Sequence, residues 1–166
     1  MPTGIGRSNL DGPAAFAGIV AGRRPIVMQN VSLGDCLTKW TLHYLKTQVG
    51  TDRQVVVHEA NTRQMNFLDK NFAYTTKSMA RFIDDISQGS PQYLRSLAAE
   101  KPSNQPADFA HDFPSLAQDF VLPTGLQQVV SNVHSSVLRI SGPVNMWLHY
   151  DVRVSSFQRK KLTLDS

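Results

Sequence analysis

The chain has 166 residues, 41% of them hydrophobic, with one cysteine and a formal charge of +4. That length suits a single domain and that apolar content suffices for a core, while a lone cysteine excludes an internal disulfide framework and fits a reducing compartment. No run of 18 or more apolar residues occurs, so no membrane-spanning helix is predicted.

Residues 1–22 read as a flexible leader. The stretch from Gly12 to Gly22 is rich in Gly and Ala, and Arg7 is the only cation ahead of it, which is too little basic lead-in for a signal peptide. The expected compartment is therefore the cytoplasm, or the nucleus. Pro25 to Gln29 has strand length, and Asn30 to Gly34 is turn material. Asp35 is placed to cap a helix running to about Val49, with Leu37, Trp40, Leu42, Tyr44 and Leu45 on or near its apolar stripe, Thr41 as the polar interruption and Gly50 as the stop. At that helix start the Cys36 thiol would be activated if it titrated, but a small buried side chain is the expected role. Arg53 to Glu59 reads as a strand, and the run Val55, Val56, Val57 points to burial on both faces.

Asn71 to Thr75 is a second strand with Phe72 and Tyr74 on one face. Ser78 to Ser87 is a helix, because Met79, Phe82, Ile83 and Ile86 recur at helical spacing. Gln92 to Ala98 is read as a strand and Lys101 to Pro106 as a loop. A helical turn is expected near Asp108 to Asp112, another from Pro114, and a third after Pro123 to about Val130. Val133 to Ser141 and Asn145 to Asp151 are the last two predicted strands, joined by a turn at Gly142 and Pro143. Trp40 and Trp147 are read as core. The adjacent pairs His58 with Glu59 and His111 with Asp112 are poor joint ligands; neighbouring strand residues such as the first pair face opposite ways.

Charge is concentrated at the end of the chain. Arg153, Arg159, Lys160 and Lys161 stand against Asp165 alone and supply most of the +4, so a basic nucleic-acid surface is not evident in the rest. Just before that tail lies GPVNMWLHYDV, residues 142–152. Its H-x-D element puts His149 and Asp151 on one face of a strand with Tyr150 on the other. One imidazole and one carboxylate are two of the three protein ligands in a facial triad that leaves coordination positions open on Fe(II).

Several segments in order, RPIV at Arg24, LGDCLTKW at Leu33, KNFAY at Lys70, QYLRSL at Gln92 and LRISGPVNMWLHYDV at Leu138, make residues 23–152 resemble the JmjC (cupin-like) Fe(II)/2-oxoglutarate oxygenases. Within them the chain is most similar to the tRNA wybutosine-synthesizing family. That family includes both a stand-alone hydroxylase and a domain ending a larger, leucine carboxyl methyltransferase-like fungal protein, and the sequence leaves the choice open. The resemblance implies an α+β fold, the N-terminal part of a double-stranded β-helix (jelly roll) with flanking helices and an incomplete barrel. It implies His149 and Asp151 as iron ligands, Tyr93 as a hydrogen-bond partner of 2-oxoglutarate, and tRNA as the partner. His134, on the strand before the H-x-D element, would face the same pocket or serve as a structural histidine. No signal for a particular oligomeric state is present.

After Val152 the resemblance is lost. Ser155 stands where the family has an Asn, Leu164 stands near the place of its 2-oxoglutarate-binding Lys, and no His follows His149. Residues 153–166 are therefore expected to be a non-homologous basic tail, as if the reading frame entered an intron or shifted just after Val152. The expected function is that of an oxygenase fragment in tRNA guanosine hypermodification, inactive on its own because two protein ligands hold Fe(II) poorly. The alternatives are a non-catalytic interaction module or a piece of the methyltransferase-like protein, although no S-adenosylmethionine-binding glycine motif is visible.

Overall fold

The computed structural model describes residues 4–96, 106–123, 126 and 135–146. Its centre is a four-stranded sheet. The strands β3 (Gln54–Ala60), β5 (Phe72–Ser78), β6 (Gln92–Arg95) and β7 (Arg139–Ser141) lie in the order β5-β3-β6-β7, each pair antiparallel. Helix α3 (Leu42–Val49) and helix α4 (Met79–Ser87) cover one side. Two short helices, α5 (Phe109–Asp112) and α6 (Pro114–Ala117), complete that layer.

The helix-side face is the main core. Val55 and Val57 of β3, Leu94 of β6 and Ile140 of β7 meet Met79, Phe82, Ile83 and Ile86 of α4, with Leu45, Phe113 and Leu116 closing the cluster. Phe82 is fully buried. The helical spacing of the apolar residues in α4 places that stripe inward, and Ser78 caps the helix by accepting from the Arg81 amide at 3.2 Å. Between α4 and β6 the chain turns tightly. Gly142, after β7, packs onto this turn so closely that a Cβ there would collide with the Ser90 carbonyl oxygen.

The helix expected from Asp35 to Val49 is two helices. The first, α2, covers Cys36–Lys39 and ends at Trp40; Thr41 then caps α3, accepting from the Tyr44 amide at 3.1 Å. The elbow lets three donors converge on the buried carboxylate of Asp119. Lys39 Nζ reaches it at 3.0 Å, Trp40 Nε1 at 3.3 Å and the Tyr44 hydroxyl at 2.7 Å. Asp35 spends its carboxylate on Lys39, at 2.8 Å, and makes no cap hydrogen bond. The Tyr44 hydrogen bond is the strongest influence holding the Asp119 carboxyl below its usual range, with Lys39 and Trp40 adding to it against the cost of burial. Cys36 lies alongside, its Sγ 3.1 Å from the Leu33 carbonyl oxygen, and burial raises its thiol pKa, with the Asp119 charge adding to the rise, so it is not an activated thiol. Gly34 is required in the adjoining turn. Its φ is +82°, and a Cβ would lie 2.6 Å from the Asp119 carbonyl oxygen.

The N-terminal region also departs from expectation. Residues 1–22, read as a flexible leader, contain strand β1 (Gly6–Asn9) and helix α1 (Pro13–Gly22), and β1 pairs in parallel with β2 (Ile26–Gln29). Pro13 opens α1, where a missing N–H costs nothing, and Arg23 ends it in the left-handed conformation. No residue of α1 is buried. The observed β2, β3, β5, α4 and β6 match the expected elements within a few residues, whereas β7 is shorter than the predicted Val133 to Ser141 strand. Residues 135–138 run irregularly into it, and residues 133 and 134 lie outside the described residues. Strand β8 (Asn145–Met146) pairs in parallel with β4 (Gln64–Met65) in a separate ladder. Mixed helices beside an antiparallel sheet are the α+β arrangement expected, and the described strands do not close into a barrel. No described helix is long and apolar enough to cross a membrane.

Candidate functional site

The other face of the sheet carries the candidate site. Alternation along β3 sends Val55, Val57 and Glu59 toward the helices and Val56, His58 and Ala60 the opposite way. Strand register then aligns a row of four across the sheet: Tyr74 beside His58, His58 beside Tyr93, and Tyr93 beside Ser141. His58 sits amid rings, with centroids 4.7 Å from Tyr74, 5.0 Å from Phe72, 5.3 Å from Tyr93 and 5.9 Å from Phe67. Phe67 comes from the loop after β4 and packs on Phe72 at 4.9 Å.

His58 is buried, and its Nδ1 donates to the Tyr93 carbonyl oxygen at 3.2 Å. A carbonyl can only accept, so Nδ1 carries the proton in the neutral ring and Nε2 is left as the acceptor nitrogen. Desolvation pushes the His58 pKa below its ordinary value and outweighs the hydrogen bond to Tyr93, while the Arg95 charge adds to the depression. The ring is therefore neutral near pH 7.

Tyr93 lies on this face, 4% exposed, packed with Ala60, Met65, Phe72 and Val144 in a second small core. The resemblance makes it a hydrogen-bond partner of 2-oxoglutarate; in the structure its side chain packs in this small core, on the side of the sheet away from the helices. His149, Asp151 and His134 lie outside the described residues, as does Trp147. Among the described residues no group of three or more His, Cys, Asp or Glu side chains is arranged to hold a metal ion. The pair His58 and Glu59 divides between the two faces, as alternation requires. His111 Nδ1 lies 3.2 Å from Asp112 Oδ1, and the buried Asp112 carboxylate also accepts from the Asp108 amide at 3.0 Å. This is a helix-end arrangement in which the aspartate serves the backbone.

Glu59, on the helix side, belongs to a polar network at the end of the core. Lys77 Nζ reaches Asp85 at 2.9 Å, Gln92 at 3.2 Å and Glu59 at 3.4 Å, and Arg81 meets the other Asp85 oxygen at 2.8 Å. Burial pushes the Asp85 carboxyl upward, but the hydrogen bonds from Lys77 and Gln92 and the two cationic charges overcome it and hold the group below its usual value. The network is internally satisfied and serves to tie α4 to β3, β5 and β6.

Two residues of the ring-bearing face escaped the sequence reading. Arg95 and Arg139 are register partners across β6 and β7, one step along the strands from Tyr93 and Ser141. The signal lay in the alternation Tyr93, Leu94, Arg95, which puts the arginine on the tyrosine's side. Its partner could be found only once the β6–β7 register was known.

A sheet whose one face packs on helices and whose other face carries ordered polar and aromatic side chains is the expected form of a partial cupin. The description of the cupin-like domain matches residues 13–156, and the chain belongs to that family. Among named proteins it is 50% identical over 150 residues to tRNA wybutosine-synthesizing protein 4 of Aspergillus oryzae, a match covering 90% of this chain and 14% of that protein. It is 49% identical over 154 residues to the protein of the same name from Aspergillus fumigatus, covering 93% of this chain and 15% of the relative. Against tRNA wybutosine-synthesizing protein 5 of Mus musculus the identity is 38% over 157 residues, with 86% and 49% covered. The chain thus spans about a seventh of the fungal relatives' length and about half of the mouse relative's.

Proposed function

We propose that this chain is part of an Fe(II)/2-oxoglutarate-dependent oxygenase of the JmjC class that takes part in tRNA guanosine hypermodification within wybutosine synthesis. The observation that carries the reading is the extent of its likeness to proteins named for that process, about half of all positions over nine-tenths of the chain in the Aspergillus oryzae match. His149 and Asp151 are the proposed iron ligands. An imidazole and a carboxylate two residues apart form a donor set suited to Fe(II) with open positions, and Tyr93, on the sheet face away from the helices, is the proposed contact of 2-oxoglutarate. When bound, iron with 2-oxoglutarate would supply activation of O2 for C–H hydroxylation. The chain's own side chains would bind and orient: Tyr93 by its hydroxyl, and His58 by fixing the Tyr93 backbone through its carbonyl oxygen at 3.2 Å.

No His follows His149 in the sequence, so these 166 residues offer two ligands of such a triad, and metal binding by the chain alone is expected to be weak. Anaerobic titration with Fe(II) and 2-oxoglutarate tests the reading. The expected result is a faint metal-to-ligand charge-transfer band that is abolished in His149→Ala. Retention of the band in His149→Ala overturns the ligand assignment. Absence of both the band and any 2-oxoglutarate binding favours a non-catalytic interaction module, the second reading, which the ordered helix–sheet unit would also serve.

A further inference from the structure

His58 and Tyr93 are register partners on adjacent strands, and both are more than nine-tenths buried, at 7% and 4% exposure. Burial does not seal their polar atoms. Among the described residues the His58 ring makes one hydrogen bond, through Nδ1, and the Tyr93 hydroxyl makes none. No sealed side-chain nitrogen or oxygen is without a partner there, so His58 Nε2 and the Tyr93 hydroxyl lie in the small parts of these residues that are open.

The two atoms require different partners. Nδ1 carries the proton because it faces a carbonyl oxygen, which leaves Nε2 as an acceptor alone, whereas a tyrosine hydroxyl can donate. With two carboxylates and a ketone, 2-oxoglutarate has acceptors and no donor at neutral pH, so it can pair with Tyr93 and not with Nε2. Whatever meets Nε2 brings an N–H or O–H. The Arg95 charge is felt at the His58 ring, which disfavours an ammonium as that donor. Across the sheet His58 has Tyr93 on one side and Tyr74 on the other. The Tyr74 ring is 64% exposed with its centroid 4.7 Å from that of His58, and Phe67, 37% exposed, lies at 5.9 Å. An acceptor nitrogen beside an open ring face suits a flat heterocycle that stacks while its edge donates, the mode in which unpaired nucleobases are read.

We propose that His58 Nε2 accepts a hydrogen bond from a ring N–H of an unpaired nucleobase stacked against Tyr74, while 2-oxoglutarate is held on the Tyr93 side. His58 then sorts the two occupants of the site, since it can receive the base and cannot receive the dicarboxylate. The inference rests on the reading of the chain as part of a tRNA-modifying oxygenase and deepens it by assigning a residue to the base. It requires no iron, so it and the ligand assignment of His149 fail separately.

The experiment is nuclear magnetic resonance of the histidine ring nitrogens in the full 166-residue chain, labelled with nitrogen-15 and free of metal. The His58 signals are identified by their loss in His58→Phe. Three probes are added in turn: inosine, whose base has one N–H; 1-methylinosine, which has the same ribose and no base N–H; and 2-oxoglutarate. Inosine is expected to move the Nε2 signal, and the other two to leave it in place. Inosine affinity should fall about three- to tenfold in His58→Phe, the effect of one lost hydrogen bond, and His58→Gln, which keeps an acceptor oxygen, should recover part of it. Circular dichroism verifies that the variants keep the fold. The proposal is overturned if inosine leaves Nε2 unmoved. It is equally overturned if 1-methylinosine moves the signal as far, which would make a ribose hydroxyl the donor, or if 2-oxoglutarate moves it.

Discussion

The two faces of the central sheet are made from the same four strands and behave differently. Toward the helices, Val57, Leu94 and Ile140 pack into a dry cluster around Phe82, and the charges at its border are fully engaged with one another. Away from them, rings surround a neutral histidine, Arg95 and Arg139 are exposed with no acidic partner among the described residues, and Tyr74 is largely open to solvent. One face stabilises the fold because its groups are satisfied internally. The other buries His58 and Tyr93 but leaves Tyr74, Arg95 and Arg139 exposed.

The sharpest way to break this contrast is to hollow out the helix side. Phe82→Ala is expected to cost about 3–5 kcal/mol, the transfer of a buried ring plus an unfilled cavity, measured by urea denaturation. Lys77→Met removes the cation shared by Asp85 and Glu59 and leaves two carboxylates with unmet hydrogen bonds. A loss of about 1.5–3 kcal/mol is expected, in the range for hydrogen bonds to charged groups, and a neutral outcome would show that the network ties nothing together. On the open face, Tyr74→Ala should change stability by no more than about 0.5–1 kcal/mol, since an exposed side chain has little packing to lose. If it destabilises as much as Phe82→Ala, the ring face is core and the contrast fails.

The smallest effect concerns pH. His58 has a pKa lowered in the folded state, so the unfolded chain binds the proton more readily. The stability this group contributes is present above the unfolded value near 6.5 and is lost as pH falls through it. Thermal melts taken from pH 7 to pH 5 should show a decline that is shallower in His58→Phe. Asp85 and Asp119, whose carboxyl pKa values are lowered, contribute in a lower window. Their stabilisation is present above the ordinary carboxylate value and disappears as pH falls through their depressed folded values, so the histidine step is separable from it.

Local pattern was readable wherever one periodicity acted alone. Met79, Phe82, Ile83 and Ile86 announced α4, and alternation correctly placed Phe72 and Tyr74 together and separated His58 from Glu59. It failed where a distant group intervened. The break at Trp40 and Thr41 has a local mark, a threonine able to cap, but its cause is Asp119, a partner some eighty positions away that draws Lys39, Trp40 and Tyr44 to one point. The leader reading failed because Gly and Ala describe a weak helix as readily as a coil, and β1 exists only through its pairing with β2. Of the candidate site, the ring cluster about His58 was not legible in the sequence, since its five members come from three strands and a loop.

By itself, then, the sequence determined the family, the α+β class, the stripe that packs α4 and the H-x-D element, because each depends on residue types a few positions apart. The tertiary structure decided which side of the sheet is left open, that Glu59 and Lys77 neutralise each other on the covered side, and that Arg95 meets Arg139. Those are matters of strand order and register, and register is fixed by the whole set of pairings and by the burial of one face, so no single segment contains it.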